Sequence, residues 1–260
     1  IHGLLNFLPF EWASGLCGPD RAFACTRAIN TFAVMFAMLA YLVCVWLLVR
    51  ERRDLWLASV IGVVALFLVV NGRTPNLVYL HQGAPGIRDA LLFCELALLI
   101  AASGCNRRAF VLAALTGAGV VAAAGLFWAY NRGLIGIGLL STYMAARLVA
   151  RRELSGPLAA GAGLTAGMGA LYLTNPVAFA AHFSNILYWA THGALWYLPG
   201  SLFSKAIFLG LGLGLMAWVA LLLLRMRPPA PQLEISAVLL VQMLAFLQVA
   251  HGRPDGVHFA

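Results

Sequence analysis

Charge is scarce in this sequence. Only 10% of the 260 residues are charged, while 62% are hydrophobic, and the mean hydropathy is +0.89. Soluble domains carry about 25% charged residues. A water-soluble fold of this composition would leave too much apolar surface facing solvent, which excludes an ordinary globular class. Lysine is nearly missing: of the 17 cationic residues, all but Lys205 are arginine. Acidic residues number 9, so the net charge is +8. In a soluble chain that excess would point to nucleic acid. Here the arginines stand in short loops between apolar runs, a topology pattern, and no nucleic-acid partner is expected.

Other absences narrow the chemistry. No CxxC or Cys/His spacing suggests a metal site. No Gly-rich phosphate loop, low-complexity tract or clear repeat is present. The 5 cysteines make no framework. Cys44 and Cys94 lie inside apolar runs as small packing residues. Cys105 lies in an arginine-rich loop. Cys17 and Cys25 either pair, if their side of the membrane is oxidising, or remain thiols. Residue 1 is Ile with no basic n-region before it, and the sequence stops after a polar run. Both features predict an internal piece of a longer protein.

What is present is a series of apolar runs. Eight segments predict spans, at about 27–49, 55–70, 88–103, 109–129, 133–150, 157–175, 204–224 and 233–250. The fold class is therefore all-α, a polytopic transmembrane helical bundle, with residues 1–260 as one domain. The connections alternate in character. Arg50, Arg52, Arg53, Arg107, Arg108, Arg147, Arg151, Arg152, Arg225 and Arg227 occupy four short loops, which the positive-inside rule puts in the cytoplasm. Both ends then lie outside, which requires an odd number of spans upstream. Two aromatic stretches, about 1–18 and 177–203, predict interfacial segments on the outer side. Gly161, Gly163, Gly167 and Gly169 predict close helix approach.

The unusual polar residues gather on that outer side. Arg88, Arg132 and Arg253 each stand at an outer span boundary, against the charge bias. A guanidinium suits bidentate phosphate recognition. With His81, His251 and His258 they form the predicted substrate-binding set. Asp89 opens a helix, where a first-turn or capping role competes with a catalytic one. Asp255, in the run HGRPDGVH, is the other weak catalytic candidate. Glu95 lies inside a span, where a carboxylate normally faces a partner or a wet cavity. Arg88, seven residues earlier, shares its helix face.

Three stretches resemble the GT-C superfamily of multi-pass glycosyltransferases, in particular bacterial members of the dolichyl-mannosyltransferase and aminoarabinose-transferase type. They are HGLLNFLP with GPDRAFACTRAIN, then PGIRDALLF with FWAYNRGLIGI, then HGRPDGVHF. The resemblance implies a membrane-embedded cleft opening to the exoplasm and a polyprenyl-phosphate sugar donor held by Arg and His. It also implies a general base in a first outer loop, which would precede Ile1. The superfamily admits a divalent metal, although the sequence offers no ligand cluster, and no other cofactor is expected. The functional expectation is sugar transfer from the lipid-linked donor to an exoplasmic acceptor, in a protein of the bacterial inner membrane facing the periplasm. Two alternatives are a transporter or flippase of a lipid-linked or anionic solute, and a non-catalytic membrane assembly subunit.

Overall fold

A computed structural model describes residues 14–49, 56–62, 89–192, 210, 214, 217 and 229–252. All regular structure among them is helical, in line with the all-α expectation. Seven principal helices follow a 3-10 turn at Pro19–Arg21: α1 (Ala22–Val49), α2 (Ala90–Gly104), α3 (Arg108–Trp128), α4 (Tyr130–Arg151), α5 (Ser155–Thr174), α6 (Pro176–His192) and α7 (Ala230–Gly252). Among the described residues two helices, Arg108–Trp128 and Asn131–Arg151, are long and apolar enough to cross a membrane; Met35–Leu48 and Ala90–Gly104 are shorter apolar helices. Cys17, ahead of α1, forms a disulfide with Cys25 in the first turn of α1. Gly18 between them takes a left-handed φ of 76°, which glycine adopts without a Cβ clash.

The helices pack by direction. Asp89 and Arg132 meet at the starts of α2 and α4, and Ser103 and Arg151 meet at their ends, so these two helices run parallel. Helix α3 runs opposite to α2, with a Cβ at Gly117 facing Leu98 and one at Gly125 facing Leu91. Helix α7 also opposes α2 and α4, since its Glu234 bonds Ser103 and Arg151. The bundle thus has an Asp89 end and a Glu234 end. The connections at 105–107 and 152–154 and the start of α7 gather at the Glu234 end; the α3–α4 and α5–α6 corners lie at the other.

The α3–α5 contact is the most extensive in the bundle. A Cβ at Gly119 would stand 2.6 Å from the Leu164 nitrogen, and one at Gly163 would stand 2.8 Å from the Thr116 carbonyl carbon. Backbone therefore meets backbone, the role predicted for the α5 glycines Gly163 and Gly167. Gly161 and Gly169 lie on the open face instead. The shared core is Leu92, Leu96, Leu99, Leu115, Leu139, Tyr143 and Val238 with small residues between them. Helix α1 joins through Cys44, whose thiol donates to the Phe93 carbonyl, and through a Tyr41–Phe93 edge contact.

The corners differ from expectation in one place. The Asn131-Arg132-Gly133 string reads as a turn, but it forms the first turn of α4, and the connection is Ala129 alone. Gly125 and Gly133 explain this: a Cβ at Gly125 would stand 3.6 Å from the Gly133 Cα, so α3 and α4 close against each other without a longer loop. The α5–α6 corner is Asn175. Its amide bonds back to the Leu171 carbonyl, and its Oδ1 accepts from the Ala178 amide at 2.9 Å. Pro176 then opens α6 at the position where a missing N–H costs nothing. This helix lies within the interfacial segment expected at 177–203, with Val177, Leu187 and Tyr188 exposed.

Candidate functional site

Polar side chains collect at both ends of the bundle. At the Asp89 end, Arg132 Nε lies 2.6 Å from Asp89 Oδ1, both side chains being largely buried. Asp89 stands at the N-cap position of α2 but makes no side-chain capping bond. Its carboxylate is turned to α4. The Asn131 Oδ1 accepts from the Arg132 amide at 2.9 Å, bracing the first turn of α4. Glu95 lies about 9 Å further along α2. It is 1% exposed and packs on Gly136 of α4, the residue one turn past Arg132. A Cβ at Gly136 would stand 3.4 Å from the Glu95 Cδ, so that glycine makes room for the carboxyl.

The arrangement therefore brings together two of the predicted site residues, Asp89 and Arg132. Arg88, Arg253, His81, His258 and Asp255 lie outside the described residues, and so does the Arg88–Glu95 relation expected from their spacing. His251 belongs to the last turn of α7, and its side chain is not described.

His182 is also at this end and faces inward. Its Nε2 lies 3.0 Å from the Leu126 carbonyl, which can only accept, so Nε2 carries the hydrogen. The ring stacks on Phe127 at 4.5 Å, beside Phe179 and Phe183. His182 thus fastens α6 to the end of α3. Burial holds its imidazole below the usual histidine value, opposed by the Leu126 hydrogen bond. With the folded-state value depressed, the neutral ring contributes fully above about pH 6.5 and the contribution is lost as pH falls through the folded-state value. Amide exchange across Pro176–His192 is accordingly expected to speed up between about pH 7.5 and about pH 5.5, relative to α3. His182→Phe should abolish the pH response; an unchanged response would assign it to another group.

The Glu234 end holds a denser network. Glu234 is fully buried on α7. Its Oε1 accepts from Arg151 Nε at 2.6 Å, and its Oε2 accepts from Ser103 Oγ at 2.8 Å and from Tyr143 at 3.2 Å. Arg147 Nη1 lies 3.8 Å from the same carboxylate, and its Nη2 donates to Glu153 at 3.1 Å. The Ser155 hydroxyl, opposed by burial and helped by Arg147, holds the Glu153 carboxyl below the usual range. Arg151 also donates to the Ser103 carbonyl at 3.2 Å, satisfying a carbonyl that the end of α2 leaves open. Ser103 Oγ reaches the Pro231 carbonyl as well. Two arginines thus meet two glutamates, and the charges balance. This network ties α2, α4, the α4–α5 connection and α7 together.

Arg147 and Arg151 were read from the sequence as topology signals. The structure gives them partners in addition. Glu234 escaped the sequence reading because Ser103 and Arg151 lie 131 and 83 residues away from it. Among the described residues no group of three or more His, Cys, Asp or Glu is placed to hold a metal ion. Of the two ends, the Glu234 network is closed on itself, whereas the Asp89 end sets an arginine beside a corner of the bundle. Comparison with known protein families, curated proteins and solved structures finds no match to this chain.

Proposed function

We propose that this chain is the membrane core of a GT-C-like glycosyltransferase, which moves a sugar from a polyprenyl-phosphate donor to an exoplasmic acceptor. The observation that carries the reading is Arg132, oriented by Asp89 at the end of the bundle away from the arginine-rich connections. A leaving phosphate gains negative charge, and an oriented guanidinium in a low-dielectric site stabilises it strongly. On this reading about eight spans cross a bacterial inner membrane and the Asp89 end faces the periplasm. The positive-inside bias supports that sidedness. So does the Cys17–Cys25 disulfide, which sits at the start of α1 while Arg50, Arg52 and Arg53 follow its end.

Arg132→Lys tests the reading, because lysine keeps the ion pair with Asp89 but loses the planar fork. In the full-length protein, transfer from a polyprenyl-phosphate sugar donor is expected to fall about 100-fold with little change in unfolding temperature. Wild-type turnover in Arg132→Lys and in Arg132→Ala would remove Arg132 from the site. Arg253→Ala and His258→Ala are expected to abolish transfer as well.

Glu95 favours a second reading. An intramembrane carboxyl is a frequent element of proton-linked pathways. Proton-coupled transport of an anionic or lipid-linked solute would make Arg132 the solute's anchor instead. Uptake into vesicles without sugar transfer would support it.

A further inference from the structure

Glu95 and Glu234 are both glutamates of the core, yet they stand in opposite surroundings. Glu234 meets two arginines, a serine and a tyrosine. Glu95 is as deeply buried, and its Oε1 has no hydrogen-bond partner among the described residues. Among the described side chains of the surrounding helices, the charged groups are engaged elsewhere. On α4, Arg132 is paired with Asp89 of α2, while Tyr143, Arg147 and Arg151 belong to the far end. Helix α3 carries charge only at its start, at Arg108. Helix α1 brings the Cys44 thiol, and α2 itself brings Cys94. On α7 the charged group among the described side chains is Glu234, at the other end, and His251 stands in the last turn of the same helix.

A second buried acceptor lies at the same depth. Ser103 on α2 bonds Glu234 on the antiparallel α7. Eight residues toward the Asp89 end on each helix, about 12 Å along each axis, lead to Glu95 and Gln242. The Gln242 Oε1 is also buried and without a partner among the described residues. The level of Glu95 in the bundle thus offers its carboxylate no described cation. A proton on Glu95 turns an acceptor-only carboxylate into a neutral acid and removes an unpaired charge from a low-dielectric interior.

We propose that Glu95 is a proton-binding site, occupied by its proton in the folded protein at neutral pH. The site is independent of the sugar-transfer reading, and its failure would leave that reading standing.

The test is reaction of the full-length protein with dicyclohexylcarbodiimide, an apolar reagent that requires a protonated carboxyl. The acid proton moves to one carbodiimide nitrogen while the carboxylate oxygen bonds the central carbon, opening one C=N π bond. An oxygen-to-nitrogen acyl shift then leaves a stable N-acylurea with no atom lost. At about pH 7.5, roughly three units above the ordinary glutamate value, peptide mass spectrometry is expected to find the adduct on Glu95 and not on Glu234. Glu95→Gln should lose the adduct and unfold at the wild-type temperature or above, because a neutral amide replaces a neutral acid. Absence of the Glu95 adduct would overturn the proposal. So would protection by sodium chloride that choline chloride does not match, which would make the site one for a metal cation. A clear drop in the Glu95→Gln unfolding temperature would also count against it, since it would reveal a charged, paired carboxylate.

Discussion

Glu234→Ala is expected to destabilise the bundle by roughly 3–5 kcal/mol, the usual cost of removing one partner from a buried ion pair. The substitution strands two guanidiniums at once. Arg147 has only 4% of its side chain exposed and would keep Glu153 as its carboxylate partner; Arg151 would keep the Ser103 carbonyl. Ser103 and Tyr143 would lose an acceptor, although Ser103 still reaches the Pro231 carbonyl. Glu234→Gln preserves an acceptor for both hydroxyls and loses the charge, so a smaller loss is expected from it. Chemical or thermal unfolding in detergent checks the series. A loss below about 1 kcal/mol for the alanine variant would mean the arginines relax to solvent and the network is peripheral.

Gly163→Leu is the second large effect. The position faces the Thr116 backbone, which cannot rotate away as a side chain end would. Helices α3 and α5 must separate, and the contacts of Gly119 and Gly167 go with them. A loss of about 3 kcal/mol is expected, at the upper end of ordinary overpacking. The control is Gly161→Leu on the open face of α5, where a Cβ meets nothing within 4 Å. Equal unfolding temperatures for the two variants would contradict the close packing of α3 on α5.

The helices were legible because apolar runs and their polar punctuation are local signals. Span 109–129 is α3 to within a residue, and 157–175 is α5 to within two. The start of α4 was missed because Asn-Arg-Gly carries turn chemistry, and only the proximity of Gly125 to Gly133 allows a one-residue corner. Long-range polar partners were not legible. Asp89 reads as a capping residue from its position, while its carboxylate in fact serves a residue 43 positions later. Glu95 was recognisable as a carboxyl inside an apolar run, but its depth relative to Gln242 depends on the α2–α7 register. Arginines are ambiguous for the same reason, since a topology signal and a buried ion-pair partner look alike in sequence.

On the proposed reading, the Asp89 end and the Glu234 end face opposite compartments, with Arg132 on the exoplasmic side. Single cysteines at Arg107 and at Asn175, both exposed, sit at the two ends. In a background lacking Cys44, Cys94 and Cys105, a membrane-impermeant maleimide added to intact cells is expected to label Asn175→Cys. Arg107→Cys should react only after the membrane is opened. Labelling of both from the same side, or of Arg107→Cys alone from outside, would contradict the orientation and with it the exoplasmic site.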